Sequence, residues 1–413
     1  MRSAAALVLW ATALGSQTLT VIPPRALMDE SVLIRAAGLN PGERVSIEAS
    51  LIDGADHRWA ARAEFDAAAD GTVAVDTQAP VKGSYKGVSA MGLIWSMMPE
   101  SKDARRYQPP HQMGIQPIEF RLLRGGQTIA AAHLDQSYTA PGVTRVPLHE
   151  GDLRGILFVP PGTEPHPAVM VMSGSNGGVP TRQAAWLASR GFVALALAYF
   201  RYEDLPRVLE AIPLEYFGRA LEWLSKLPEV ARGRIAMMGS SRGGELALQL
   251  ASMYNVRAVV AYVPASVRVR ACCGGNAVPW AWTWKGQPLA FVQRPADRRG
   301  SEGMRAAIAV ENTQGPVLVI SGEDDHLWPS ADMGDEVIAR LKRQHFPYSF
   351  ENLKYKGAGH DAGQPGIAPA WHGVLRNPIS GRDMDLGGSA AADAASTLDA
   401  MPKVLEFLRQ SLR

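Results

Sequence analysis

The segment Gly239-Ser240-Ser241-Arg242-Gly243 constrains this chain more than any other. It follows the apolar run Ile235-Ala236-Met237-Met238 and precedes Glu245-Leu246-Ala247-Leu248-Gln249-Leu250-Ala251, where Leu246 and Leu250 stand at helical spacing. A strand, a sharp turn and a helix in that order form a nucleophile elbow. Its glycines relieve crowding around a strained turn, which pushes the serine hydroxyl out above the sheet. Ser241 is thus the candidate nucleophile. Gly-x-Ser-x-Gly alone is a weak signal in a chain with 40 glycines among 413 residues, so the flanking strand, the flanking helix and the paired Gly243-Gly244 carry the argument.

A serine hydroxyl needs a general base and a group that orients that base; on an elbow of this kind the chain order is Ser, then Asp or Glu, then His. Val317-Leu318-Val319-Ile320 reads as a buried strand that ends in Ser321-Gly322-Glu323-Asp324-Asp325-His326-Leu327-Trp328-Pro329. Of the three carboxylates there, Asp325 is favoured because it falls on the loop beyond the strand, with Asp324 as the alternative. Farther on, Gly357-Ala358-Gly359-His360 sets a histidine on a side-chain-poor loop after the strand-like stretch Tyr348 to Tyr355. His360 is the candidate base. The oxyanion formed on attack needs donors. One is the backbone N–H of Arg242; the second is expected from the glycine-rich loop after the strand Ala168 to Met172, with Ser175 as first choice.

These residues resemble a known family, the acyl-CoA thioesterase and bile acid-CoA:amino acid N-acyltransferase family. The N-terminal half carries Pro24-Arg25-Ala26-Leu27-Met28-Asp29-Glu30 and Gly83-Ser84-Tyr85 through Met91-Gly92-Leu93-Ile94-Trp95-Ser96-Met97-Met98-Pro99-Glu100. The C-terminal half carries Leu197 through Pro206, Leu214-Glu215-Tyr216-Phe217 and Gly243-Gly244-Glu245-Leu246. The resemblance implies an α/β-hydrolase fold preceded by a β-sandwich, and it places the family's triad on Ser241, Asp325 and His360. It also implies that serine at the nucleophile position goes with hydrolysis of acyl-CoA, whereas members that transfer the acyl group to an amino acid use cysteine. The chain departs from the family after His360, where Asp361-Ala362-Gly363-Gln364-Pro365-Gly366 replaces a Glu-Pro-Pro-like run.

The local patterns give the same organisation. From residue 18 to about 140, short runs alternate apolar and polar residues, as in Val32-Ile34-Ala36, Val45-Ile47-Ala49-Leu51 and Trp59-Ala61-Ala63-Phe65, and Gly125-Gly126 splits a hairpin. That pattern predicts a small β-sandwich over 18–142. Beyond Ala140-Pro141-Gly142, strands alternate with helices, including Gly191 to Phe200 as a strand and Leu209 to Lys226 as an amphipathic helix, which predicts an α/β domain over 143–413. Ala265 to Asn312 has weak periodicity and is expected to fold over the active site. Within it, Trp280, Trp282 and Trp284 are candidates for an acyl pocket or for packing, and Arg268, Arg270, Arg294, Arg298 and Arg299 are candidates for surface charge or for contacts with CoA phosphates.

With 42 basic and 40 acidic residues, the chain offers no electrostatic reason to bind nucleic acid. No run reaches the length of a membrane-spanning helix. The first 17 residues, with Arg2, the apolar run Ala4 to Leu14 and Gly15-Ser16, resemble a secretory signal peptide. Export is the expectation if that leader acts, and a cytoplasmic location otherwise. Cys272 and Cys273 are adjacent, and neighbours rarely form an unstrained bridge. No metal-ligand spacing occurs, so neither a metal nor a cofactor is expected. The chemistry predicted is serine-dependent hydrolysis of acyl-CoA thioesters. The alternatives are an exported carboxylesterase or amidase on the same fold and an acyl-CoA N-acyltransferase.

Overall fold

The structure, a computed structural model, describes residues 16–377 and 380–413. Residues 1–15, where most of the leader-like segment falls, lie outside the described residues.

The alternating runs of the first third become two sheets around a shared core. β1 (Thr18–Ile22), β3 (Leu33–Ala37) and β6 (Val73–Ala74) form the smaller sheet. The larger one holds β2 (Arg25–Leu27), β4 (Arg44–Ile52), β5 (Arg58–Asp66), β7 (Lys82–Gly83), β8 (Met98–Pro99), β9 (Ile115–Arg124) and β10 (Gln127–Ser137). In β5 the buried residues are Trp59, Ala61, Ala63 and Phe65, each separated by a less covered one, as a strand with one face on a core requires. A short helix, α1 (Gly92–Trp95), lies against β4 and β5.

The rest of the chain builds an eight-stranded sheet in the order β11-β12-β14-β13-β16-β17-β20-β21. Its strands are β11 (Thr144–Glu150), β12 (Leu153–Val159), β13 (His166–Met172), β14 (Val193–Ala198), β16 (Val230–Ser240), β17 (Ala258–Tyr262), β20 (Val317–Gly322) and β21 (Phe350–Tyr355). β15 (Ile212–Pro213), β18 (Trp282–Trp284) and β19 (Gln287–Pro288) make a separate small sheet. From β14 to β21 all neighbours run parallel. Parallel strands covered by helices on both faces read as continuous apolar runs, and β14 and β17 are buried at every position. α2 (Thr181–Ser189) and α7 (Ala390–Ser411) share a core with the N-terminal sheets. α3 (Glu215–Ser225), α4 (Arg242–Ala251) and α6 (Ser330–Arg343) share a core on the opposite face, while α5 (Ser301–Ala306) lies in the cover, the long connection between β17 and β20 that holds Ala265 to Asn312.

Two local expectations change. The helix expected from Leu209 begins only at Glu215. Pro213 blocks its extension, and the preceding residues pair instead with the cover, Ala211 N–H donating to Trp280 O and Ile212 N–H to Ala281 O. The strand expected from Gly191 starts at Val193, and Gly191 itself has φ 92°. The adjacent cysteines are joined as a disulfide.

The halves are locked together at α2 and at the loop after His360. Asp29 accepts from Trp186 Nε1 (2.8 Å) and Arg190 Nε (2.7 Å), while Gln136 Nε2 donates to Ile367 O (3.0 Å). The Asp29 side chain is only 4% exposed, so its removal leaves the Trp186 N–H without its acceptor and Arg190 with Glu30 alone. Asp29→Ala should therefore lose about 3 kcal/mol of stability, read as a lower urea midpoint; an unchanged midpoint refutes the lock.

Candidate active site

The carboxyl ends of the parallel strands converge on one point, where such folds place ligands. β16 delivers Ser241, β20 delivers Asp325, β21 delivers His360, and β13 delivers the loop Ser173-Gly174-Ser175. Ser241 sits at φ 58° and ψ −119°, a conformation that residues with a side chain adopt only under strain. Its N–H donates to Tyr262 O on β17 (2.9 Å). The turn closes because its flanks have no side chains. A Cβ on Gly239 would lie 2.0 Å from Gly243 O, and one on Gly243 would lie 2.4 Å from Ser173 O. The glycines thus supply close approach rather than a left-handed backbone.

The imidazole of His360 bridges the other two residues. Its Nε2 is 2.8 Å from Ser241 Oγ, and its Nδ1 is 2.7 Å from Asp325 Oδ2. The Asp325 side chain has no exposed surface, and its other oxygen accepts from the N–H groups of Leu327 (3.0 Å) and Trp328 (3.3 Å). With the carboxylate saturated in this way, His360 Nδ1 is fixed as the donor toward it, which leaves Nε2 free to accept the serine proton. Asp324, the alternative acid, turns away to His326 Nε2 and to the N–H of Gly388. The Trp328 ring stands edge-on to His360 at 5.4 Å and restricts the imidazole further.

Arg242 opens α4, so its backbone N–H is among those a helix leaves without an internal acceptor. The loop bearing Ser175 runs alongside: a Cβ on Gly174 would lie 3.2 Å from Ser241 Cβ. Tyr199 holds this loop by donating its hydroxyl to Ser173 O at 2.6 Å.

The three tryptophans separate. Trp282 is 1% exposed and packs against Tyr199 and Phe217 in the core, so it acts as packing rather than as an acyl surface. Trp284 packs on Tyr254, and Trp280 supplies only its carbonyl to Ala211 in the contacts described. Of the arginines, Arg294 is held by Asp297 and Arg298 by Glu336, while Arg268 donates to Gln249 and to three carbonyls of the cover.

Sequence reasoning missed Glu245. Its carboxylate is wholly buried, accepts from Trp282 Nε1 (2.7 Å) and from Val269 N–H (3.4 Å), and lies 3.0 Å from Arg242 Nη1. Arg242 Nη2 in turn donates to Val269 O (2.8 Å). The Arg242 side chain and the cover are thereby tied together. The signal was present: Glu245 is the one carboxylate in the otherwise largely apolar stretch Gly243 to Ala251.

Both halves of the chain match family descriptions: residues 29–150 match the acyl-CoA thioester hydrolase/BAAT N-terminal region, and residues 212–413 match the BAAT/acyl-CoA thioester hydrolase C terminal. The chain is 31% identical to the mitochondrial acyl-coenzyme A thioesterase 2 of Mus musculus, over 96% of this chain and 89% of that one. It is 32% identical to the human bile acid-CoA:amino acid N-acyltransferase, over 95% of this chain and 97% of that one. An alpha/beta hydrolase enzyme from a Medee basin deep-sea metagenome library aligns with a TM-score of 0.41 at 17% identity, over 66% of this chain and 99% of that one. This is an enzyme of the α/β-hydrolase class. It belongs to the acyl-CoA thioester hydrolase/BAAT family.

Burial raises the Glu245 carboxyl above its ordinary value of 4.5, and the Arg242 charge only partly opposes that rise. The ion pair is close but poorly aligned, since neither Glu245 Oε2 nor Arg242 Nη1 completes a hydrogen bond. A raised carboxyl binds protons more tightly in the folded state, so its contribution to stability is full below pH 4.5 and is lost as pH rises through the folded value. The stability difference between the native chain and Glu245→Gln should therefore shift against the native chain over that window; a difference that is flat with pH, or that moves the other way, contradicts the assignment.

Proposed function

We propose that this enzyme hydrolyses acyl-CoA thioesters to the free acid and CoA through an acyl-enzyme on Ser241. The observation that carries the reading is the 2.8 Å contact between Ser241 Oγ and the one imidazole nitrogen left free to accept a proton. His360 Nε2 takes the hydroxyl proton as Oγ forms a bond to the thioester carbonyl carbon, and the carbonyl oxygen becomes an oxyanion held by the N–H groups of Arg242 and Ser175. When the tetrahedral species collapses, the C–S bond breaks, and the proton on His360 Nε2 leaves with the sulfur as CoA thiol. Water then gives a proton to His360 Nε2 and attacks the acyl-enzyme. The second collapse returns that proton to Ser241 Oγ and releases the acid. Asp325 stabilises the imidazolium formed in each half without itself taking the proton.

A thiolate leaves far more readily than an amine, so acylation is the easier half and water attack limits the rate. Family resemblance supports water over an amine as acceptor, because serine rather than cysteine stands at the nucleophile.

Ser241→Ala should reduce kcat for palmitoyl-CoA by about 10⁴-fold or more while the fold remains intact, and Asp325→Asn by about 10³- to 10⁴-fold through the wrong imidazole tautomer. Steady-state kinetics of palmitoyl-CoA beside p-nitrophenyl butyrate tests the substrate class. Ser241-dependent kcat/KM that is well above the ester value is the expected result. Ester turnover with negligible thioester turnover would assign an esterase instead, and an amide product formed in the presence of glycine or taurine would assign acyl transfer.

A further inference from the structure

Behind the His360 loop lies a cavity that the proposed chemistry does not use. Its lining comes from both halves of the chain: Trp95, Arg106 and Tyr107 from the N-terminal half, Arg182 from α2, and Trp371 and His372 from the loop after His360. None of Ser241, Asp325 and His360 lines it. The free space is about 60 Å³, against about 10–15 Å³ for one water. That suits a small acid and excludes a long acyl chain.

The charges in this space do not close among themselves. Arg106 Nη2 donates to Asp361 Oδ2 at 2.6 Å. Asp393 Oδ1 accepts from Gly359 N–H at 2.8 Å, and its other oxygen stands 3.8 Å from His372 Nε2 without a hydrogen bond. Asp393 draws His372 toward its protonated form. Arg182 makes no hydrogen bond or ion pair among the described residues. Burial first, and then the neighbouring Arg106 guanidinium, pull Arg182 below the ordinary arginine range, and the charge of Asp361, which is already bonded to Arg106, only partly opposes that fall. Two arginines and His372, which Asp393 draws toward its protonated form, face two aspartates, and because Asp361 is already bonded to Arg106, Arg182 is left without a bonded acceptor. A desolvated charge without a partner is costly, and an anion brought in from outside removes that cost.

We propose that this cavity is a binding site for a small organic carboxylate, which Arg182 grips with its guanidinium fork. The planar fork matches the two oxygens of a carboxylate. The walls argue for an organic acid over an inorganic anion. Trp95 and Trp371 flank the space, Ile367 and Leu398 add apolar surface, and the Tyr107 hydroxyl is already engaged with Gln116 and Tyr138. A short acid would place its carboxylate on Arg182 and its tail between the rings. The site is linked to the nucleophile by contact, since Gln364 lines the cavity and donates to Ser240 Oγ at 2.8 Å, one residue before Ser241.

Calorimetric titration of the full chain with sodium butyrate, at ionic strength held constant with sodium chloride, tests the site independently of turnover. The native chain should bind one equivalent saturably. Arg182→Gln should weaken binding at least tenfold and Arg182→Lys by less, because a point charge keeps the attraction and loses the fork. Arg182→Gln removes a half-buried guanidinium that bonds no acceptor among the described residues, so its thermal midpoint should not fall below that of the native chain, which separates lost binding from lost fold. Equal butyrate binding by Arg182→Gln would overturn the proposal by moving the acid to another site. No saturable heat beyond that of chloride would leave the cavity to water, and saturation by phosphate in place of butyrate would overturn the carboxylate assignment.

Discussion

One imidazole held from both sides is the constraint on which the rest of this structure turns. His360 must keep 2.8 Å to Ser241 and 2.7 Å to Asp325 at once, yet it is preceded by Gly357-Ala358-Gly359, residues with almost nothing to pack. The backbone is pinned instead. His360 N–H donates to Leu386 O, Gly359 N–H to Asp393, and Asp324 N–H to Ala358 O. A Cβ on Gly359 would lie 2.4 Å from Gly387 O, so its absence lets another backbone clamp the loop, while Ala358 is buried in a small cluster with Val263 and Ala362. The N-terminal half completes the restraint, because Arg106 holds Asp361, Met28 O accepts from Ile367 N–H, and Trp95 O accepts from Ala370 N–H. The N-terminal half thus acts as a wall against the segment that follows His360.

What the sequence discloses follows from the range of each interaction. The elbow is legible because strand, strained turn and helix are contiguous, and their apolar period changes from strand to helix within a few residues. The strands of the first third are legible for the same reason, as with Trp59, Ala61, Ala63 and Phe65. The loops that carry Asp325 and His360 are legible as strand ends. The pairing of Arg106 with Asp361 spans 255 residues, and nothing local marks either member. The start of α3 was misread because the amphipathic pattern runs back through Leu209, while the deciding facts are Pro213 and a strand partner from the cover about 70 residues later. Trp282 posed the same difficulty. Its spacing with Trp280 and Trp284 suggested one shared surface, and the fold assigns the three rings different environments.

The cover is attached to the helix that begins beside Ser241, through three polar residues in an otherwise apolar run. Arg242, Glu245 and Gln249 lie at successive turns of α4, and each binds a residue between Ala265 and Trp284: Arg242 takes Val269 O, Glu245 takes the Trp282 indole, and Gln249 takes the Arg268 guanidinium. In a buried helix each of these groups would be destabilising alone, and each finds a partner in a segment with few regular elements of its own, while Arg242 Nη1 and Glu245 Oε2 stay without a hydrogen bond. The cover gains its order from α4, and α4 gains partners for groups it would otherwise bury unpaired. Arg242 is the residue whose backbone N–H faces the proposed oxyanion. A shift of the cover is therefore transmitted to Arg242 through a side chain and not through solvent.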